Sequence, residues 1–189
     1  MGLAGMIAAG TVATSAVAVT AVCVPFVTPA LRKICIPYVP ATPQQLQNVA
    51  TALSVCPTKV SPLVDLGSGD GRVVLQCARA GYLSVGLELN IPLILYSRWR
   101  ARRECLSHLT KFYRKDIFKA DLKQYKAAII FGTETLMSDL SMKIVEMKIG
   151  SFLIACRFPL PPSEGNTQWL LLSTVGSGFD SVWLYEKIC

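Results

Sequence analysis

Apolar residues fall into short runs that end at glycine or polar positions, and stretches of helical spacing lie between those runs. Leu63-Val64-Asp65-Leu66 runs into glycines and predicts a buried strand. Residues 72–79 then predict a helix closed by Gly81, residues 83–87 a second strand, and residues 91–107 a long helix. Residues 111–114 give a weak third strand, 127–131 a strong fourth, 136–147 a helix and 152–156 a fifth strand. Residues 169–175 and 182–185 form a terminal pair joined by Gly176-Ser177-Gly178. Alternating strands and helices imply an α/β fold with a doubly wound parallel sheet, finished here by an antiparallel hairpin. Upstream, residues 36–43 are too rich in proline for regular structure. Thr42-Pro43 suits an N-cap followed by proline at the first helical position, with a helix over residues 44–54.

The N-terminal stretch follows a different pattern. Residues 2–31 carry no charged side chain. As a helix, residues 2–24 would extend about 34 Å, enough for a hydrocarbon core of about 30 Å. Pro25 and Pro29 end that helix and Arg32-Lys33 follow as an interfacial anchor. A cleaved secretory signal fits poorly, because no basic region precedes the run and the run is too long. No Arg-rich amphipathic transit peptide is visible either. The expected organisation is therefore a hydrophobic anchor or targeting segment over 1–31, a linker and first helix over 32–61, and a catalytic-type α/β domain over 62–189.

Composition narrows the classes. A chain of 189 residues with mean hydropathy +0.44 and 16% charged residues cannot be a charge-solvated disordered protein. The lone histidine, His108, excludes multi-histidine metal sites. The seven cysteines show no C-x-x-C and read as reduced, mostly buried small hydrophobes, so no metal is expected.

The loop Val64-Asp65-Leu66-Gly67-Ser68-Gly69-Asp70-Gly71-Arg72 carries the chemistry. Glycines are needed where backbone turns sharply and approaches a ligand closely. The spacing differs from the dinucleotide G-x-G-x-x-G, and an acidic Asp70 inside the loop would repel a pyrophosphate. S-adenosylmethionine, with an ammonium, a sulfonium and no phosphate, suits the loop better. Asp65 can face the ammonium, Glu88 ends the second strand where a carboxylate accepts ribose hydroxyls, and Asp116 after the third strand can meet the adenine edge. The basic run Arg98-Trp99-Arg100-Ala101-Arg102-Arg103 spreads its arginines around a helix and reads first as a solvated face, then as a contact for anionic lipid. No nucleic acid is expected.

Taken together, Pro25-Phe26-Val27-Thr28-Pro29-Ala30-Leu31-Arg32-Lys33, Pro37-Tyr38-Val39-Pro40-Ala41-Thr42, VDLGSGDGR, Gly86-Leu87-Glu88-Leu89-Asn90, Tyr96-Ser97-Arg98, Phe131-Gly132 and Ala155-Cys156-Arg157-Phe158-Pro159 resemble the ATP synthase c-subunit lysine N-methyltransferase family, whose sister is the adenine nucleotide translocase lysine methyltransferase. The resemblance covers residues 22–189. It implies a class I, seven-strand, Rossmann-like methyltransferase with an N-terminal transmembrane segment, located at the mitochondrial inner membrane and using S-adenosyl-L-methionine to methylate a lysine of the c-subunit. The cofactor site it implies comprises Asp65, Gly67, Ser68, Gly69, Asp70, Gly71, Glu88, Asn90 and Asp116, with Tyr38 and Thr42 covering the cofactor or only capping and packing. Glu134, at the end of the fourth strand, is the candidate to orient the incoming amine; its competing role is that of an exposed helix-terminal carboxylate. Methylation of the translocase, of RNA or of a small molecule, and a non-catalytic cofactor-binding scaffold, are the rival readings.

Overall fold

In the computed structural model, the described residues are 39–56, 60–162 and 167–189, with residues 2, 12, 14–17 and 19–20. The chain divides into two compact units, Met1–Pro37 and Tyr38–Cys189. In the first, residues 12, 14–17 and 19–20 are helical and exposed, and the Thr20 hydroxyl donates to the Ala16 carbonyl at 2.8 Å. The expected anchor falls mostly outside the described residues, among which no helix is long and apolar enough to cross a membrane.

The second unit is a seven-stranded sheet. Its elements are α1 (Pro43–Val55), β1 (Leu63–Leu66), α2 (Arg72–Arg79), β2 (Ser84–Glu88), α3 (Ile91–Arg103), β3 (Thr110–Arg114), β4 (Ala127–Phe131), α4 (Glu134–Ile144), β5 (Phe152–Cys156), β6 (Trp169–Val175) and β7 (Val182–Lys187). Strand order is β3-β2-β1-β4-β5-β7-β6. β1 to β5 pair in parallel, and β7 pairs antiparallel with both β5 and β6. The doubly wound sheet with a terminal hairpin is therefore as expected. The order reverses between β1 and β4, and in such sheets the crevice outside the strand C-termini at that point binds ligand.

Burial explains the strands. β1 and β5 are buried throughout, and Leu63, Leu66, Ile129, Ile130 and Leu153 are fully enclosed. α1 closes one face: Val49, Ala52 and Leu53 join Val73, Ile129, Ile154 and Leu184 in one core cluster. Its N-terminus carries the expected Thr42 cap. The Thr42 hydroxyl accepts from the Gln45 amide at 3.0 Å and the Gln45 side chain accepts from the Thr42 amide at 3.0 Å. The same hydroxyl donates to Asp180 at 2.9 Å, tying the helix to the β6–β7 connection.

Two helix boundaries differ from expectation. α3 stops at Arg103 rather than running to residue 107, because Cys105 adopts φ 56° and the chain closes with Leu106 N–H on the Ala101 carbonyl and Cys105 N–H on that of Arg102. That bond pattern ends helices, normally with glycine at the left-handed position; cysteine there gives no sequence signal. α4 starts at Glu134 and ends at Ile144 rather than spanning 136–147. Thr133 caps it, and the buried Lys187 ammonium takes the Val145 and Met147 carbonyls beyond its end. Met147 is buried without being helical, so its apolar character misled the periodicity. Cys105 and Cys189 are exposed, whereas Cys77 and Cys156 are core.

Thr42→Ala removes the helix cap and the bond to Asp180 together. It should lower unfolding free energy by about 1 kcal/mol, read as a shifted urea midpoint with an unchanged slope.

Candidate active site

The crevice is built on the loop between β1 and α2. Gly67, Gly69 and Gly71 have φ of 86°, 51° and 77°. At Gly71 the constraint is also steric: a Cβ would sit 2.6 Å from Ser97 Oγ of α3 and 2.9 Å from the Phe112 ring of β3. Gly86 in β2 is the matching seat, where a Cβ would lie 2.6 Å from Ser68 Oγ. The loop therefore rests on β2, β3 and α3 by direct backbone approach, and the Ser97 hydroxyl lies 3.3 Å from the Gly69 carbonyl.

Glu88 does more than present a carboxylate at the end of β2. One oxygen accepts from Gly69 N–H at 2.9 Å, and the other accepts from Leu89 N–H at 2.7 Å and Asn90 N–H at 2.9 Å. A carboxylate has about four acceptor positions, so three such bonds brace the loop and leave room for a hydroxyl. Ser68 Oγ and Asn90 Oδ1 are buried and have no hydrogen-bond partner among the described residues. Orphaned buried polar atoms are rare in native proteins. These two, beside a braced glycine loop and a line of carboxylates, fit a polar ligand with hydroxyls and a cationic tail.

Asp65 is 2% exposed in β1. Burial, then the Glu88 and Asp70 carboxylates, push its carboxyl up to about 8. Asp70 behaves in the opposite way. Burial raises its carboxyl, but the Arg72 hydrogen bonds and charge, with help from Arg100, outweigh that and hold it below the usual range. Arg72 pairs with Asp70 at 2.7 Å and Arg100 lies 3.7 Å from it. Asp70 thus shapes the loop through arginine rather than standing open to ligand. Asp116 accepts from Phe118 N–H at 3.0 Å and caps the short turn Ile117–Lys119, with its second oxygen outside that bond. Glu134 is exposed in the first turn of α4. Tyr38 lies outside the described residues, and Thr42 is engaged as a cap.

Sequence reading missed the arginines that hold the segment before α1. Arg72 donates to the Ala41 carbonyl at 2.6 Å, while Arg157 Nη2 lies 3.4 Å from the Pro40 carbonyl and 3.5 Å from that of Val39. Arg157 itself has φ 74° and its guanidinium covers the Phe131 ring at 5.7 Å. Arg72 directly follows the glycine loop and Arg157 stands in the Ala155–Pro159 motif, but neither position revealed this bonding.

The proton on Asp65 has a thermodynamic consequence. The native state holds it more tightly than the unfolded chain from about pH 4, the ordinary aspartate value, up to about 8. Its contribution to stability is therefore full in acid and is lost as pH rises through the native value. Urea titrations of the ligand-free protein should show stability falling from pH 5 to pH 9 (about four units of pH), and Asp65→Asn should flatten that slope.

Residues 65–166 match the family described as ANTKMT methyltransferase domain, and residues 2–32 match the ATP synthase c-subunit lysine N-methyltransferase N-terminal domain. The Caenorhabditis elegans ATP synthase c-subunit lysine N-methyltransferase is 52% identical over 187 residues, covering 97% of either chain. The Homo sapiens protein of the same name is 44% identical, covering 86% of this chain and 66% of its own. The Mus musculus adenine nucleotide translocase lysine N-methyltransferase is 35% identical, covering 82% and 64%. In fold, the chain is similar to an RNA methyltransferase from Salinibacter ruber in complex with S-adenosyl-L-homocysteine, with TM-score 0.67, 24% identity, and coverage of 79% of this chain and 94% of that one. The sheet order is thus that of a class I methyltransferase, and the match over nearly the whole length shows that the chain belongs to the ATP synthase c-subunit lysine N-methyltransferase family.

Proposed function

We propose that this protein transfers methyl groups from S-adenosylmethionine to a lysine of the ATP synthase c-subunit at the mitochondrial inner membrane. The observation that carries the reading is its 52% identity over 97% of its length to a relative of that name, with the glycine loop and Glu88 poised at the switch point of the sheet. The uncharged residues 2–31, matched by the family's N-terminal domain, support an anchor in that membrane.

S-adenosylmethionine, when bound, supplies an electrophilic methyl on a sulfonium. Around it, Asp65 would hold the ammonium, Glu88 and Asn90 the ribose hydroxyls and Asp116 the adenine edge, with Gly67 to Gly71 offering bare backbone. A cation held beside Asp65 would favour its carboxylate form, against the burial that raises it. Glu88 keeps its brace on Gly69, so loop and ligand share one carboxylate. The acceptor amine has to be neutral to attack, although a free lysine titrates near 10.4. Burial in the crevice would lower that value. Glu134, one residue beyond the Thr133 cap, is the candidate to orient the amine once neutral.

The direct test is intact mass measurement of c-subunit incubated with the purified protein and S-adenosylmethionine, beside adenine nucleotide translocase and mitochondrial RNA as competing acceptors. Mass increments of one methyl group or more on c-subunit are expected; label on the translocase or RNA alone overturns the reading. In the same assay Glu134→Gln should lower kcat by at least about tenfold, a loss of about 1.4 kcal/mol in transition-state stabilisation, with cofactor affinity unchanged. Equal losses in both, or none, remove Glu134 from the mechanism.

A further inference from the structure

The face of α3 turned away from the sheet takes no part in the crevice described above. Ile94, Ser97 and Ala101 are its buried side. On the other side Ile91, Leu95 and Trp99, spaced four residues apart and therefore stacked in one stripe, are 43%, 58% and 49% exposed. Tyr96 adds a further 47% exposed ring. A solvated helix face has no use for four large apolar side chains in one arc, which is the pattern of a surface that meets something apolar.

Charge identifies that partner. Residues 91–115 contain seven Lys and Arg against one acidic residue, Glu104, and so carry +6 of the chain's +7. Glu104 is occupied by Arg79 and Arg100. Arg98, Arg102 and Arg103 are exposed beside the apolar stripe. An apolar ridge flanked by arginine is the composition of a helix lying in the interface of an anionic bilayer. The aromatic rings argue against single-stranded nucleic acid, which needs open ring faces for base stacking. Tyr96 and Trp99 stack on each other at 5.7 Å, Arg103 covers Trp99 at 4.8 Å and Arg100 covers Tyr96 at 5.9 Å.

We propose that α3 is a second, peripheral membrane contact, seating Ile91, Leu95 and Trp99 among the acyl chains of an anionic lipid surface while Arg98, Arg102 and Arg103 meet its headgroups. α3 begins directly after Asn90, so the contact starts at the rim of the cofactor crevice and fixes how that crevice faces the bilayer. This inference is independent of the acceptor's identity and of the N-terminal anchor.

The test uses the full chain in vesicles of phosphatidylcholine alone or mixed with phosphatidylglycerol, with brominated acyl chains to quench tryptophan. The chain has three tryptophans, of which Trp169 is buried and Trp183 is partly exposed, so the test is run in a Trp183→Phe background. Quenching should be stronger in anionic vesicles, fall at high salt, and be largely lost when Trp99→Phe is added. Arg102→Glu should raise the anionic lipid needed for half-maximal quenching roughly fivefold or more, with cofactor binding in solution unchanged. Equal quenching in neutral and anionic vesicles, or with and without Trp99→Phe in that background, overturns the proposal, as does quenching relieved by a competing RNA oligonucleotide. Flotation of the vesicles reports the N-terminal anchor separately: bound protein without Trp99 quenching rejects the α3 contact and leaves the anchor standing.

Discussion

The carboxylate of Glu88 gathers three backbone N–H groups, and the crevice depends on that gathering. Gly69 reaches it from one side, Leu89 and Asn90 from the other. Charged acceptors make bonds about twice as strong as neutral ones, so one side chain at the end of β2 fixes both the glycine loop and the start of α3. Close contact does the rest. Gly86 and Gly71 let Ser68, Ser97 and Phe112 approach to distances no side chain would allow. A loop held in this way is rigid before any ligand arrives, which is the condition for binding without a large ordering cost.

A second layer ties this loop to distant chain segments. Asp70 is held low by Arg72, and Arg72 reaches across to the Ala41 carbonyl. The peptide preceding α1 is thereby fastened to the loop, and Arg157 fastens the same peptide to the end of β5. Thr42, Gln45 and Asn48 continue the link to the β6–β7 connection through Asp180 and Phe179. The carboxylates divide their work accordingly: burial raises the Asp65 carboxyl, the Arg72 pairing lowers that of Asp70, and Glu88 braces the loop. Position in sequence gives each a ligand-facing role; only the surroundings show that Asp70 is paired to arginine and Glu88 braces backbone.

What was legible in the residues follows from how local each signal is. VDLGSGDGR, Thr42-Pro43 and the β4 and β5 runs announce themselves within a few positions, and the structure places them as expected. The carboxylate at the end of β2 was legible because a strand's last residue lies over a crevice by topology alone. The end of α3 was not, because a cysteine occupies the left-handed position that glycine normally marks. The bonding of Arg157 was invisible for a different reason. Its partners, Val39, Pro40 and Phe131, are brought to it by the tertiary fold, and backbone carbonyls leave no trace in sequence. The helix whose spacing suggests a solvated basic face reads differently once exposure is known, since periodicity cannot say whether Leu95 and Trp99 have neighbours.

The insertion of β7 between β5 and β6 bears on how the molecule is made. β5 is buried along its whole length, yet one of its edges is covered only by the last strand in chain order. A nascent polypeptide therefore carries an apolar, unpaired strand edge until residues 182–187 have been synthesised and can slide in. Non-local pairing of this kind is slow, and open strand edges invite intermolecular association. Completion of the sheet is thus a late event in the chain order, set by where its closing strand falls.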